Sequence, residues 1–289
     1  MGFKPRSDYG FGSRESAHIL ALVKASDYEA AEKGILFLDS DNLSHVVNHL
    51  SLSLPLEKIQ GWLANSVHED IPYLALGAHH HHQAWISRGH SRGDEVSEAR
   101  AQGFRKHQDK AYDYLMEVSD TFPKIQAETY VRLLAVYRGD GKFEEAKAYF
   151  EMAQELVPDH LMLFVEHAET LQPKWGGSIT QTAALMHGLP ERKLIQQLVE
   201  AKLLVEGEPW KVNYFGGTMQ DLKIKAQDSF LRIHHELERE PPTSIHRYML
   251  FGYMMFLAEQ TGNRTLARTY KNKLDRNLPV YPFGLPGAH

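Results

Sequence analysis

The sequence of 289 residues contains no cysteine. Disulfides, thiolate metal sites and cysteine nucleophiles are therefore excluded. Long apolar runs are missing too. The richest stretch, "YMLFGYMMFL" at 248–257, is about half of the ~20 residues that a bilayer span needs. Neither sign of charge dominates: 32 basic against 37 acidic side chains leave a net −5 with His neutral. That balance argues against a surface that coats nucleic acid. The N-terminal "MGFKPRSDYGFGSRES" lacks the apolar run of a signal peptide. Arg6 stands where a myristoylation signal wants Ser or Thr. The expectation is a cytoplasmic protein with neither a membrane nor a nucleic acid as partner. Chemical signatures are equally sparse. There is no His-Glu-x-x-His and no Walker lysine after the paired glycines, and the one Gly-x-Ser-x-Gly string, Gly89 to Gly93, follows a segment of helical spacing and not the strand that a nucleophile elbow needs.

What is present has helical spacing. Hydrophobic residues make up 43 % of the chain, enough for a real core. Ile19, Leu22 and Val23, then Ala30, Ala31, Ile35 and Leu38, recur at intervals of three and four. Asp27 is placed to cap the second of these helices and Asp41 the next, and Pro55 opens a further one. Asp94 is placed to cap a long helix over 95–119, with Glu95 and Glu98 in its first turns. Pro241-Pro242 separates two late helices. Strand-like alternation is scarce, and "PWKVNYFGG" at 209–217 reads as an irregular loop within 207–218. The fold class is all-α, with about a dozen helices of ordinary length.

One segment suggests a repeat. In 127–158, Tyr130, Leu133 and Tyr137 share a helical face, and Gly139-Asp140-Gly141 makes a turn. Ala146, Phe150 and Ala153 then line a second helix, and Pro158 closes the unit. This pattern resembles the tetratricopeptide repeat, in which small alanines let paired helices approach and aromatic residues fill the groove between pairs. Leu134 departs from it, standing where a small residue is preferred. Ala111, Leu115 and Pro123 repeat the frame upstream; Phe251, Met254, Ala267, Leu274 and Pro279 repeat it near the C-terminus. The resemblance implies antiparallel hairpins stacked as a solenoid in one domain over 1–289, with 70–190 as its best-matching core and further hairpins over 218–278. "AWISRG" at 84–89 and "PKWGGS" at 173–178 flank this unit. Over 70–190 the chain resembles a group of uncharacterised bacterial proteins carrying the same two segments, which bring no chemistry with them.

Candidate sites follow. Four histidines run from His79 to His82, with His90 close behind. Adjacent helical residues point about 100° apart, so only His79 and His82 share a face and could meet one metal ion. The expected reading is a partly exposed helical turn before Trp85, dispensable for folding and holding no cofactor. His234 and Glu238 are a second i,i+4 pair. In "PKWGGS", Trp175 is expected to pack, Gly176 and Gly177 to turn the chain, and Ser178 to cap a helix through Met186. Repeat proteins present the first helix of each pair to partners. Tyr130, Leu133 and Tyr137 are used in packing, so Glu128, Arg132 and Val136 are expected to form a partner-binding strip. The resemblance and the missing catalytic signature together imply a non-enzymatic protein–protein interaction module with a protein or peptide partner. A bacterial adaptor, a toxin-neutralising immunity protein and a chaperone-like escort fit that description. Two other readings compete: a metal-dependent hydrolase using histidines from 68–90 and 234–246, and a small-ligand sensor near Trp175, Trp210 and Tyr214.

Overall fold

The computed structural model describes residues 13–89, 95–205, 219–239, 245–260 and 262–274. Among them the structure is helical, with no strand. None of the described helices is long and apolar enough to cross a membrane. The loop expected at 207–218, together with Trp210 and Tyr214, lies outside the described residues.

The described chain forms two compact units, 13–170 and 171–274, where one domain was expected. The boundary falls inside the 70–190 core because the helix before it packs back onto earlier helices. The first unit holds α1 (Arg14–Lys24), α2 (Tyr28–Leu36), α3 (Ser40–Ser53), α4 (Leu56–Leu63), α5 (Asp70–Arg88), α6 (Glu98–Met116), α7 (Pro123–Gly139), α8 (Phe143–Leu156) and α9 (Leu161–Thr170). The second holds a short 3₁₀ turn (Pro173–Trp175), then α10 (Ile179–Gly188), α11 (Lys193–Val205), α12 (Met219–Glu238), α13 (Ile245–Gln260) and α14 (Arg264–Lys273).

Capping side chains set the helix starts by accepting otherwise orphaned amides. Asp27 caps α2 as expected. The cap of α3 is Asp39, two residues before the expected Asp41. Asp41 is buried, and its Oδ1 accepts from Leu161 N at 2.8 Å, the first amide of α9. Likewise Ser97 caps α6, which begins at Glu98 and not at 95; Asp94 lies outside the described residues. Pro55 does precede α4, and Pro123 opens α7.

In the first unit α5–α6 and α7–α8 are antiparallel hairpins of neighbouring helices. Their members differ in character. The outer α8 buries one stripe, Ala146, Phe150 and Ala153, as the repeat pattern expects. The inner α5 and α7 bury residues on every side. α5 is enclosed by α3, α4, α6 and α7, and α7 by α3, α5, α6, α8 and α9. Close approach needs small residues: a Cβ on Gly77 of α5 would stand 2.5 Å from Leu115 Cγ of α6. Trp62, Leu50 and Leu74 lie in the same core. Beside Trp62, the buried Glu32 accepts from Trp62 Nε1 at 2.7 Å, Ser66 Oγ at 2.5 Å, Val67 N at 3.1 Å and His68 N at 3.0 Å. One carboxylate thus ties α2 to the loop that starts α5. In the second unit α11, α12 and α14 pack on α13, burying Phe251, Met254, Ala267 and Leu274. Pro279 lies outside the described residues.

Ala146 is fully buried. Ala146→Leu is expected to overpack the α7–α8 hairpin and to lower stability by roughly 1–3 kcal/mol, read as a lower urea midpoint at unchanged m-value.

Candidate functional site

The residues expected to meet a partner are inside the protein. Glu128 is 0 %, Arg132 8 % and Val136 2 % exposed. The strip has the predicted helical register, but α3 and α9 cover it. Glu128 Oε1 accepts from Arg132 Nε at 2.7 Å and also from Nη2. Arg132 then donates to Asn48 Oδ1 at 2.6 Å and to Ser44 O at 3.1 Å, both on α3. Ser44 Oγ donates to Glu128 Oε2 and lies 2.9 Å from His160 Nε2. The Ser44 proton is committed to the carboxylate, so His160 must donate from Nε2. Its Nδ1 is buried without a hydrogen-bond partner. Burial holds the His160 pKa below the ordinary histidine value, against the pull of Glu128 and Asp41.

Serine, histidine and glutamate in contact invite comparison with a catalytic triad. The geometry argues against one. A triad acid orients the histidine from Nδ1 while Nε2 faces the serine. Here the acid grips the serine itself, and Glu128 and His160 are completely enclosed. The network instead ties α3, α7 and α9 together. Ser44, Asn48, Asp41 and His160 carry no sequence signal for this role, because they lie 84 to 120 residues from their partners.

The histidine run is buried as well, contrary to the partly exposed turn expected. His79, His80 and His81 are all buried, and His82 is half-buried. Rings about 100° apart must find separate partners when the helix is enclosed on all sides. His79 and His82 do share a face, which is turned to Ser51 of α3. His79 Nδ1 lies 2.8 Å from Ser51 O, and His82 Nδ1 lies 3.0 Å from Ser51 Oγ. On the α6 side, His81 Nδ1 meets Gln108 Oε1 at 3.0 Å and His80 Nδ1 meets His107 Nδ1 at 3.0 Å. Gln108 passes the connection on to Val136 O of α7 at 3.1 Å. Burial lowers all four pKa values, those of His80 and His81 to about 4. Neutral imidazoles are competent metal ligands. Yet among the described residues no three His, Asp or Glu side chains are grouped to hold an ion.

The remaining site residues serve packing. Trp85 is half-buried and meets Phe104 edge-on at 5.2 Å. Tyr137 stacks on Tyr149 at 5.3 Å, Tyr130 meets Tyr149 at 5.6 Å, and Leu133 is buried. Phe150 stacks on His167 with centroids 3.6 Å apart. Pro158 is exposed just beyond α8. In "PKWGGS", Trp175 is half-buried, and Gly176 takes the left-handed backbone, φ 95°. A Cβ on Gly177 would stand 2.2 Å from Leu171 O. Ser178 accepts from Gln181 N at 3.2 Å, capping α10. These are structural reasons for each residue of the turn. In the second unit His234 Nδ1 meets Tyr270 Oη at 2.5 Å, and Glu238 Oε1 is 3.7 Å from His234 Nε2. That pair binds α12 to α14.

Comparison with family models, with curated proteins and with solved structures finds no match for this chain.

Two outcomes follow from these burials. Glu128→Ala leaves Arg132 enclosed without its carboxylate and is expected to cost about 3–5 kcal/mol in urea denaturation, whereas the paired Glu128→Gln, Arg132→Met variant loses less. His81→Ala orphans Gln108 Oε1 and is expected to cost about 1–3 kcal/mol, measured the same way.

Proposed function

We propose that this chain is a non-enzymatic, protein-binding scaffold of helical hairpins, related in design to tetratricopeptide repeats and used as an adaptor, an immunity protein or an escort. The observation that carries the reading is one exposed apolar end of the first unit. Phe37, at the C-terminus of α2, is 85 % exposed. Lys124 Nζ donates to Leu38 O and, at 3.3 Å, to Leu36 O, bridging the carbonyls on either side of it. That clasp fixes the backbone on both sides of the exposed ring. Two residues before Lys124, Phe122 meets the His68 ring edge-on at 5.4 Å, and Val67 beside it is 64 % exposed. The Lys124 bonds to the end of α2 and the Phe122–His68 contact connect the ends of α2, α5 and α7. Exposed aromatic and aliphatic side chains rimmed by polar groups suit an apolar pocket on a protein partner.

The proposed surface excludes Glu128, Arg132 and Val136, which are buried. The hydrolase reading has no grouped ligands among the described residues to support it. Of the sensor's three aromatic residues, only Trp175 is described.

A Phe37→Ser, Val67→Ser variant is expected to keep the wild-type melting temperature, since both side chains are outside the core. It is expected to bind the partner co-purified with wild type at least about tenfold more weakly, a loss of roughly 1.4 kcal/mol. Unchanged affinity in a titration of the two purified proteins would remove this end from the interface.

A further inference from the structure

The polar seam formed by the α5 histidines and His107 of α6 plays no part in the proposed recognition. Two of its contacts limit how many protons the rings can hold. Trp85 Nε1 donates to His81 Nε2 at 3.2 Å, so that nitrogen must carry a lone pair while Nδ1 donates to Gln108. A second proton on His81 removes the acceptor that Trp85 uses. His80 and His107 face each other Nδ1 to Nδ1 at 3.0 Å. That gap holds one proton; two would set donor against donor, charge against charge. The Tyr114 ring lies parallel to His80 with centroids 5.5 Å apart. On the α3 side, Ser51 Oγ donates to Asn48 O at 3.0 Å and so receives the proton of His82 Nδ1.

We propose that this seam is an acid-sensitive latch: it holds α5 closed against α6 at neutral pH and loosens that hairpin on mild acidification.

The charges around the seam favour release. From α6, Lys110 faces His80 and His107, and Lys106 faces His107. From α7, Arg132 faces His81 and His82, and Arg138 faces His81. The rings also repel one another when charged: His79 acts on His80, His82 and His107, and His81 on His82. Against these stand Glu57 of α4, acting on His79, and Glu166 of α9, acting on His81. Glu166 is already paired with Arg138 at 2.8 Å. α3 offers Ser51 and Asn48, which are uncharged. Incoming protons therefore meet four cations and two carboxylates, one of them engaged.

The direction follows from linkage. Burial, the largest cause for each ring, places the folded-state pKa below that of the open chain. A base depressed in this way stabilises the closed form fully above about pH 6.5, the ordinary histidine value. The contribution is lost as pH falls toward about 4, the value for His80 and His81. Between pH 7 and pH 5 each such ring weakens closure about twentyfold.

Peptide-resolved hydrogen exchange on the full chain at pH 7 and pH 5, corrected for intrinsic exchange rates, tests the latch. Protection in α5 and α6 is expected to fall at least about tenfold further than in α11 and α13 of the second unit, which serve as internal reference. Gln keeps a donor and an acceptor but does not titrate. The double variant His80→Gln, His107→Gln is therefore expected to reduce the extra loss by about tenfold. His107 is half-exposed, so His107→Gln alone is the variant to use if the pair does not fold, with a smaller reduction in the same direction. Equal protection of α5–α6 at both pH values in wild type, or a folded variant that keeps the whole acid-dependent loss, would overturn the proposal.

Discussion

The first unit depends on one constraint: α5 and α7 are enclosed by other helices, yet both carry polar side chains. An enclosed helix has no face where such a group can meet water, so each must be matched inside or left at a cost of kilocalories. The partners reach in from α3, α6 and α9, and their positions set how those helices lie against the centre. Ser44 and Asn48 fix α3 against α7 through Glu128 and Arg132. Asp41 fixes the start of α9 through one backbone amide. Gln108 joins α5, α6 and α7 in a single relay.

The two central helices meet the constraint differently, and the difference is chemical. Arg132 cannot lose its proton, so its burial demands a carboxylate and enough donors and acceptors to complete both groups. An imidazole can shed its proton, so the α5 histidines answer burial by remaining neutral and accepting the proton pattern that each neighbour imposes. One core therefore contains both a charged tie and a seam of neutral rings.

Enclosure also takes the α7 strip out of reach of solvent. A face of α7 that would be open to a ligand in a simple row of hairpins is filled by α3 and α9 of the same chain. Phe37 and Val67 are the most exposed large apolar side chains described in the first unit, and the backbone beside them is held by Lys124 and by Glu32. In the proposed scaffold, exposed apolar groups on a held backbone would lose little entropy on docking.

Much of the architecture was legible because helix formation is governed by local periodicity. The spacing of Ile19, Val23, Ala31 and Ile35, the alanines at 146 and 153, the cap at Asp27 and the turn through Gly176, Gly177 and Ser178 all act over fewer than eight residues, and each takes its expected place. Register could be read too: His79 and His82 do share a face, as do Glu128, Arg132 and Val136. What lies opposite such a face is a tertiary matter. The strip on α7 reads as surface because two of its three residues are charged, and the histidine run reads as exposed because imidazoles are polar. Both are interior because Ser44, Asn48, Ser51, Gln108 and His160, distant along the chain and ordinary in type, arrive there on folding. A sequence pattern records which residues point the same way; only the packed structure decides whether they meet water, a partner or one another.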